Sequence, residues 1–387
     1  MVGAMDTTTL LPCLAALLVA CAQTPSAGDP TQSAGDPTQS EVLLSGAADG
    51  WRAALVHDNG DVGIWTCAAL PVFPQYATPE AVGLDDRGRC HVFVTYSGKW
   101  TPLTVLSDGA WLGGLTHGDL DPRQPGAELY TGGKLGRLYE VRAHANGVLD
   151  GLLIGEVPGM EIHTMKIADW RGMGDELLVF TRPGHLYRGS FDGDARFMLE
   201  DLGDLPGRMR DAVVLPALGG GPRLATVSRD GALRLLEFHD GEPSWTELHR
   251  LPMGRGRITA RVSEGAIRGT VIYTTADDGR VFRHVEAADG NWSHETIYRG
   301  PQGPRGLVAG RFDPDPEVET VAVFGYSKDV TLLRRGADGG WTEELLFTDR
   351  DKGHWLAVGE FDGRNDTDEL LLSGYGARLV MLARDVE

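Results

Sequence analysis

Short apolar stretches alternate with Gly- and Asp-rich turns along most of this chain, and the alternation repeats. Segments starting at Glu128, Glu176, Arg223, Thr270, Thr320 and Glu369 each read as an apolar strand, a tight polar turn and a second strand. Their first residues lie 48, 47, 47, 50 and 49 positions apart. No long stretch carries a helical period, and β-branched and aliphatic residues fill the apolar positions. A period of 40–50 residues built from hairpins predicts a β-propeller with one four-stranded blade per repeat. A Trp recurs just before the outermost strand, at Trp100, Trp245, Trp292 and Trp341. Its regular position predicts packing between blades.

The starts of the innermost strands are marked by Trp51, Trp111, His163, Arg210, Arg257, Arg305 and His354, with spacings of 60, 52, 47, 47, 48 and 49. The expectation is an all-β, seven-bladed propeller over residues 40–387, in one domain because repeats stack without a second core. The last repeat stops after its third strand, at Ala377 to Asp385. Ser40-Glu-Val-Leu-Leu-Ser45 is expected to supply the missing outer strand and close the ring, leaving no free edge.

Before the repeats, Leu10 to Ala20 is an apolar run of 11 residues, too short to span a bilayer and matching a signal-peptide core. It ends in Leu18-Val-Ala-Cys21, which resembles the cleavage box of bacterial lipoproteins. The resemblance implies a signal peptide over 1–20 and acylation of Cys21. Because Ala22 rather than Asp follows, it implies an outer-membrane lipoprotein in the bacterial envelope, facing the periplasm or outward. Residues 1–9 depart from the pattern, with no Lys or Arg. Residues 21–39 contain the heptapeptide Ser-Ala-Gly-Asp-Pro-Thr-Gln twice in tandem, at 26–32 and 33–39. With no apolar content it reads as a disordered tether. Cys13 leaves with the signal. Cys67 and Cys90 are read at the end of strand b and the start of strand c of blade one, and are expected to form a disulfide across the base of a long loop.

The formal charge is −19 and the pI near 5. Nucleic acid and non-specific attachment to an anionic membrane are therefore excluded as partners, so the membrane is reached through the lipid alone. Much of the acid lies in the turns between strands a and b: Asp119 and Asp121, Asp313 and Asp315, and Gly359-Glu-Phe-Asp362-Gly-Arg-Asn-Asp366-Thr-Asp368. These turns resemble FG-GAP and VCBS repeats of integrin-like propellers. The resemblance covers three of the seven blades, and Pro314 and Pro316 replace spacer positions. It implies Ca²⁺ as a candidate cofactor, with Asp362, Asp366 and Asp368 as ligands. The alternative is that Asp and Gly simply form tight polar turns.

The opposite end is basic. Loops and strand starts there contribute Arg208, Arg210, Arg255, Arg257, Arg305, Lys352 and His354, with Arg182 and Arg229 from the b–c turns and Trp355, Tyr326 and Tyr375 alongside. The predicted site is a basic, aromatic-rimmed funnel at the channel mouth, formed by Trp51, Trp111, His163, Arg210, Arg257, Arg305 and His354. Guanidinium groups grip carboxylates and phosphates in a fork, and aromatic rings stack on sugar faces. No nucleophile elbow, P-loop, dinucleotide fingerprint or zinc-protease helix is present. The expected function is binding of an anionic glycan or protein segment by a monomer. The alternatives are a docking platform and an enzyme resembling seven-bladed polysaccharide lyases, with His163, His354, Arg257 and Arg305 as the catalytic set.

Overall fold

The computed structural model describes residues 42–385 apart from 97–98, 125, 145, 216–220 and 264–268. The signal peptide, Cys21 and the tether lie outside the described residues. Those described form seven antiparallel sheets around a channel, six of four strands and one of five. The innermost strands a are Ile64–Leu70, Leu112–Gly118, Ile162–Ala168, Met209–Leu215, Arg255–Ser263, Pro304–Gly310 and Gly353–Gly359, for blades one to seven. Strands b, c and d follow outward in sequence order within blades one to six, and strands b and c do so in blade seven. Apolar residues fill the layer between each pair of neighbouring blades, from Leu112, Leu129 and Val92 between blades one and two round to Phe324, Leu346 and Leu372 between six and seven. The recurrent Trp belongs to these layers: Trp100 meets Phe361 edge-on, and Trp341 meets Tyr273.

One turn repeats in all seven blades and explains much of the glycine pattern. The residue just before strand c has positive φ: Gly88, Gly136, Gly184, Gly231, Gly279, Lys328 and Ala377. Its carbonyl accepts the amide that follows strand d, from Asp108, Val157, Leu205, Leu251, Gly300, Asp349 and Asn59 in turn. At Gly231 a Cβ would lie 2.2 Å from the Leu251 carbonyl oxygen, so the close approach as well as the left-handed backbone calls for glycine.

The bond from Asn59 to Ala377 corrects the expected closure. The ring is closed by an N-terminal strand, but that strand is Trp51–Asp58, which pairs with Arg378–Arg384 as strand d of blade seven. Val42–Leu44 is a fifth strand outside it, with Leu43 opposite Ala54. The physical difference is burial. Trp51, Ala53, Ala54 and Val56 are buried, whereas Val42 and Leu43 are 59% and 62% exposed. Trp51 therefore begins an outer strand, and the first channel strand starts 13 residues later, at Ile64.

The expected disulfide is also corrected: Cys67 and Cys90 are both free and buried. Cys67 lies on strand a opposite Gly83, and Cys90 on strand c opposite Leu84. Adjacent residues of the intervening strand point to opposite faces. Cys67 accordingly packs toward blade seven and Cys90 toward blade two, in different apolar layers. Burial pushes both thiols up to about 12.

Candidate functional site

Every strand a carries a β-bulge at the same height. The residues skipped in the ladder are Trp65, Gly113, His163, Arg210, Gly256 with Arg257, Arg305 and His354. A bulge re-aims a side chain and strengthens the local twist. All these residues line one cavity of about 350 Å³ at the channel mouth. Of the residues predicted from sequence, Trp111, His163, Arg210, Arg257, Arg305 and His354 meet there; Trp51 does not. Trp51 is buried between blades six and seven, beneath the Arg384 guanidinium. Its place in the ring is held by Trp65, which sequence reasoning missed. Trp65 stands 48 residues before Gly113, and a repeat counted back from blade two would have found it. Blade two offers no bulge side chain because a Cβ on Gly113 would strike the Trp111 ring at 2.4 Å. The indole of Trp111 fills that space instead.

The mouth is two-sided. Blades seven, one and two contribute Trp355, His354, Trp65 and Trp111, and blades three to six contribute Arg182, Arg208, Arg210, Arg257 and Arg305. Trp65 stacks against Trp111 at 6.4 Å and meets His354 edge-on at 4.4 Å. On the other arc, Arg210 and Arg305 share Asp277, at 2.7 and 3.1 Å, and Arg182 holds Glu161 at 2.6 Å. Arg208 forms no ion pair among the described residues, and its Nε is buried without a hydrogen-bond partner. Burial and the nearby Arg182, Arg229 and Arg210 guanidinium groups lower its pKa.

Arg257 has a different part from the one expected. Its guanidinium crosses the lumen and donates to the backbone carbonyls of Arg305, Arg210 and His354, at 2.6, 3.4 and 3.3 Å. It also lies 3.9 Å over the Trp355 ring. Arg257 and Trp355 border both the mouth and a second cavity of about 190 Å³ deeper in the channel, where Lys166 and Asp211 stand. They form the floor between the two. With its donors spent on three blades, Arg257 contributes charge rather than a free fork. Burial lowers it to about 10.

His163 and His354 are held neutral. Burial, then the charge of Arg257, pushes both down to about 3. His354 Nδ1 lies 2.9 Å from the Trp65 carbonyl, so that nitrogen carries the proton and donates it.

The acidic turns behave as local structure. The Asp121, Asp313 and Asp362 carboxylates each accept the amide two residues on. The Ca²⁺ candidates separate: Asp362 pairs with Arg52, Asp368 accepts the Arg311 amide at 2.6 Å, and Asp366 lies 3.8 Å from the Arg311 side chain. The acids whose oxygens converge are Glu360, Asp362 and Glu369. His249, His284 and His294 also group closely enough for a metal. At least four of their six ring nitrogens, however, are already engaged. His284 Nδ1 meets His294 Nδ1 at 2.7 Å, and His284 Nε2 meets the Thr274 hydroxyl at 2.9 Å. Arg255, fully buried, donates to His249 Nδ1 at 2.7 Å. That guanidinium places a positive charge beside any incoming cation and leaves the proton of His249 on Nε2, blocking both nitrogens. The cluster is a hydrogen-bonded network.

No protein-family model matches the sequence, and no curated protein matches it. Solved structures do. The WD40 β-propeller domain of Doa1 superposes with a TM-score of 0.58 at 12% identity, over 87% of this chain and 98% of that one. BBS1N, solved in complex with ARL6DN, gives a TM-score of 0.60 at 14% identity, over 89% and 97%. This chain is a seven-bladed β-propeller. At such identities the likeness is one of fold.

Proposed function

We propose that this chain is an envelope-anchored binding protein that receives the anionic end of a glycan in the channel mouth. The observation that carries the reading is the two-sided cavity, in which an arc of guanidinium groups faces an arc of indole rings in a chain of net charge −19. Its volume is that of a small-ligand pocket, and its Arg257–Trp355 floor favours a group that enters and leaves by the mouth. The Leu18-Val-Ala-Cys21 box supports a lipid anchor at Cys21, and the Asp-rich turns support kinship with FG-GAP and VCBS repeats.

Binding is favoured over turnover. A lyase-type base works best with a pKa near the operating pH, and both histidines of the mouth are held far below it. A second reading, protein docking on the outer rim, has one observation in its favour. Leu152, Leu153 and Met198 are exposed on the outer strands of the neighbouring blades two and three. BBS1N, a propeller of the same fold, was solved with a protein partner.

The test is a screen of anionic and neutral glycans against the wild type and an Arg210→Gln/Arg305→Gln double variant, at low and high salt. Hits that are anionic, weaken with salt and are lost in the variant support the reading. Hits that are neutral, or indifferent to both changes, refute it. For the anchor, Cys21→Ser should abolish acyl labelling and membrane retention.

A further inference from the structure

Two of the five mouth guanidinium groups, Arg208 and Arg257, pair with no carboxylate among the described residues; every Arg257 nitrogen already donates to a carbonyl, whereas the Nε of Arg208 is buried without a partner. Arg208 stands in the link between blades three and four, next to Arg210 and near Arg182. In a seven-fold ring, blade four lies across the lumen from blades seven and one, where Trp355, His354 and Trp65 stand. A buried guanidinium nitrogen without a partner is costly unless an acceptor arrives. Its neighbours Arg182 and Arg210 are each partly neutralised, by Glu161 and Asp277. An anion seated there meets one cation with no direct ion pair, Glu161 acting on it only at longer range, and two half-matched ones, with Arg257 adding charge from below. This field rewards two negative charges over one. A phosphate monoester carries about −1.5 to −2 near neutral pH, whereas a carboxylate or sulfate ester carries about −1.

The floor and the indoles set the rest of the ligand. The mouth is closed below by Arg257 and Trp355 and holds about 350 Å³, which suits one substituted ring at the end of a molecule. Trp65 and Trp111, both half-buried, stand along the opposite arc with ring surface available to the cavity.

We infer that the ligand of this mouth ends in a phosphomonoester-bearing sugar ring, with the phosphate on Arg208 between Arg182 and Arg210 and the ring against Trp65 and Trp111. The inference rests on the binding reading above and narrows it from anionic to dianionic. A terminal sugar phosphate of a larger glycan and a free sugar phosphate present this same chemistry.

The test is calorimetric titration of the purified full-length protein at pH 7.5 with glucose 6-phosphate, glucose 6-sulfate, glucuronate, inorganic phosphate and glucose. Glucose 6-phosphate should bind about ten-fold tighter than the sulfate ester or glucuronate, the worth of one charge-assisted contact. Arg208→Gln should remove that margin, Arg208→Lys should restore part of it, and thermal melting of both should match the wild type. Trp65→Ala should weaken glucose 6-phosphate but leave inorganic phosphate unchanged. Equal binding of the sulfate ester and the phosphate ester, or indifference to Arg208→Gln, overturns the dianion assignment while the anionic-glycan reading stands. Inorganic phosphate binding as tightly as glucose 6-phosphate removes the ring from the inference and assigns the mouth to free phosphate. Glucose binding as tightly as its phosphate sinks the anionic reading itself, and no saturable binding of any probe overturns the sugar-phosphate assignment. A synthetic oligosaccharide ending in the 6-phosphate separates the two sources: a polymer end binds at least as well as the monosaccharide, a free metabolite site excludes it.

Discussion

Removing residues 42–46 should barely change the stability of this propeller, whereas small changes in Trp51–Asp58 should lower it clearly. Val42 and Leu43 leave about three-fifths of their surface exposed. Their partial burial is worth about 1 kcal/mol each at most, and Leu44, which packs partly against the layer between blades six and seven, adds about 1–2 kcal/mol. Ordering the three residues of that strand costs about 1–2 kcal/mol each in backbone entropy, so the net effect is close to zero. Val56, by contrast, is 4% exposed and packs with Ile64, Leu371 and Met381 between blades seven and one. Val56→Ala removes two methyl groups, about 1.6 kcal/mol of transfer energy, and with the residual cavity about 2 kcal/mol. Ala54→Asp would place a carboxylate in the same layer and cost more still. Urea denaturation of the three variants and the wild type, followed by intrinsic fluorescence, measures all of this on one scale. If the 42–46 deletion destabilises as much as Val56→Ala, the closure described above is wrong.

Other expectations concern buried groups. Cys67 and Cys90 should resist alkylation in the native protein, react fully in urea, and yield no cross-linked peptide in a non-reduced digest. The His249, His284 and His294 imidazoles titrate below their ordinary value, chiefly through burial, with His249 at about 4. The unfolded chain therefore binds more protons at these sites below about pH 6.5, and the stability they contribute should be complete above that pH and fall as the pH drops from 6.5 through about 4. His294→Gln should shallow the fall, and an unchanged slope would remove these histidines as its cause. Burial raises Glu369 to about 8, with Oε1 unpartnered and Oε2 accepting the Phe361 amide. The folded state then holds this proton longer than the unfolded one, so its effect on stability worsens from about pH 4.5 to 8. Glu369→Gln should gain on the wild type across that window in urea titrations, and a constant difference would refute the raised value. Arg257→Met should lower the melting temperature, because three carbonyls lose their donor; an unchanged melting temperature would mean that the floor is not structural.

The repeat length and strand order were legible because each blade restates the same pattern of apolar strand and glycine turn. The channel-facing positions of blades three to seven could also be marked, since His163, Arg210, Arg257, Arg305 and His354 recur at near-constant spacing. Blade one escaped because Trp51–Asp58 has the composition of a channel strand. Its assignment to blade seven depends on a ladder with Arg378–Arg384 that joins the two ends of the sequence. The spacing of 60 between Trp51 and Trp111 was the sign that something intervened. The thiol pairing failed for a related reason: shifting Cys67 from strand b to strand a turns it toward another blade. What no one-dimensional pattern could carry is the division of labour among the arginines. Arg257 and Arg305 occupy the same repeat position, yet one is bonded to three carbonyls and the other to Asp277.

The most direct test of the binding account is a crystal structure of the protein soaked with glucose 6-phosphate. The account predicts density in the mouth above Arg257, with phosphate oxygens within hydrogen-bond distance of Arg208 and the sugar against Trp65 and Trp111. An empty mouth at saturating ligand, with Arg208 turned away to solvent or to an acidic partner, would contradict it.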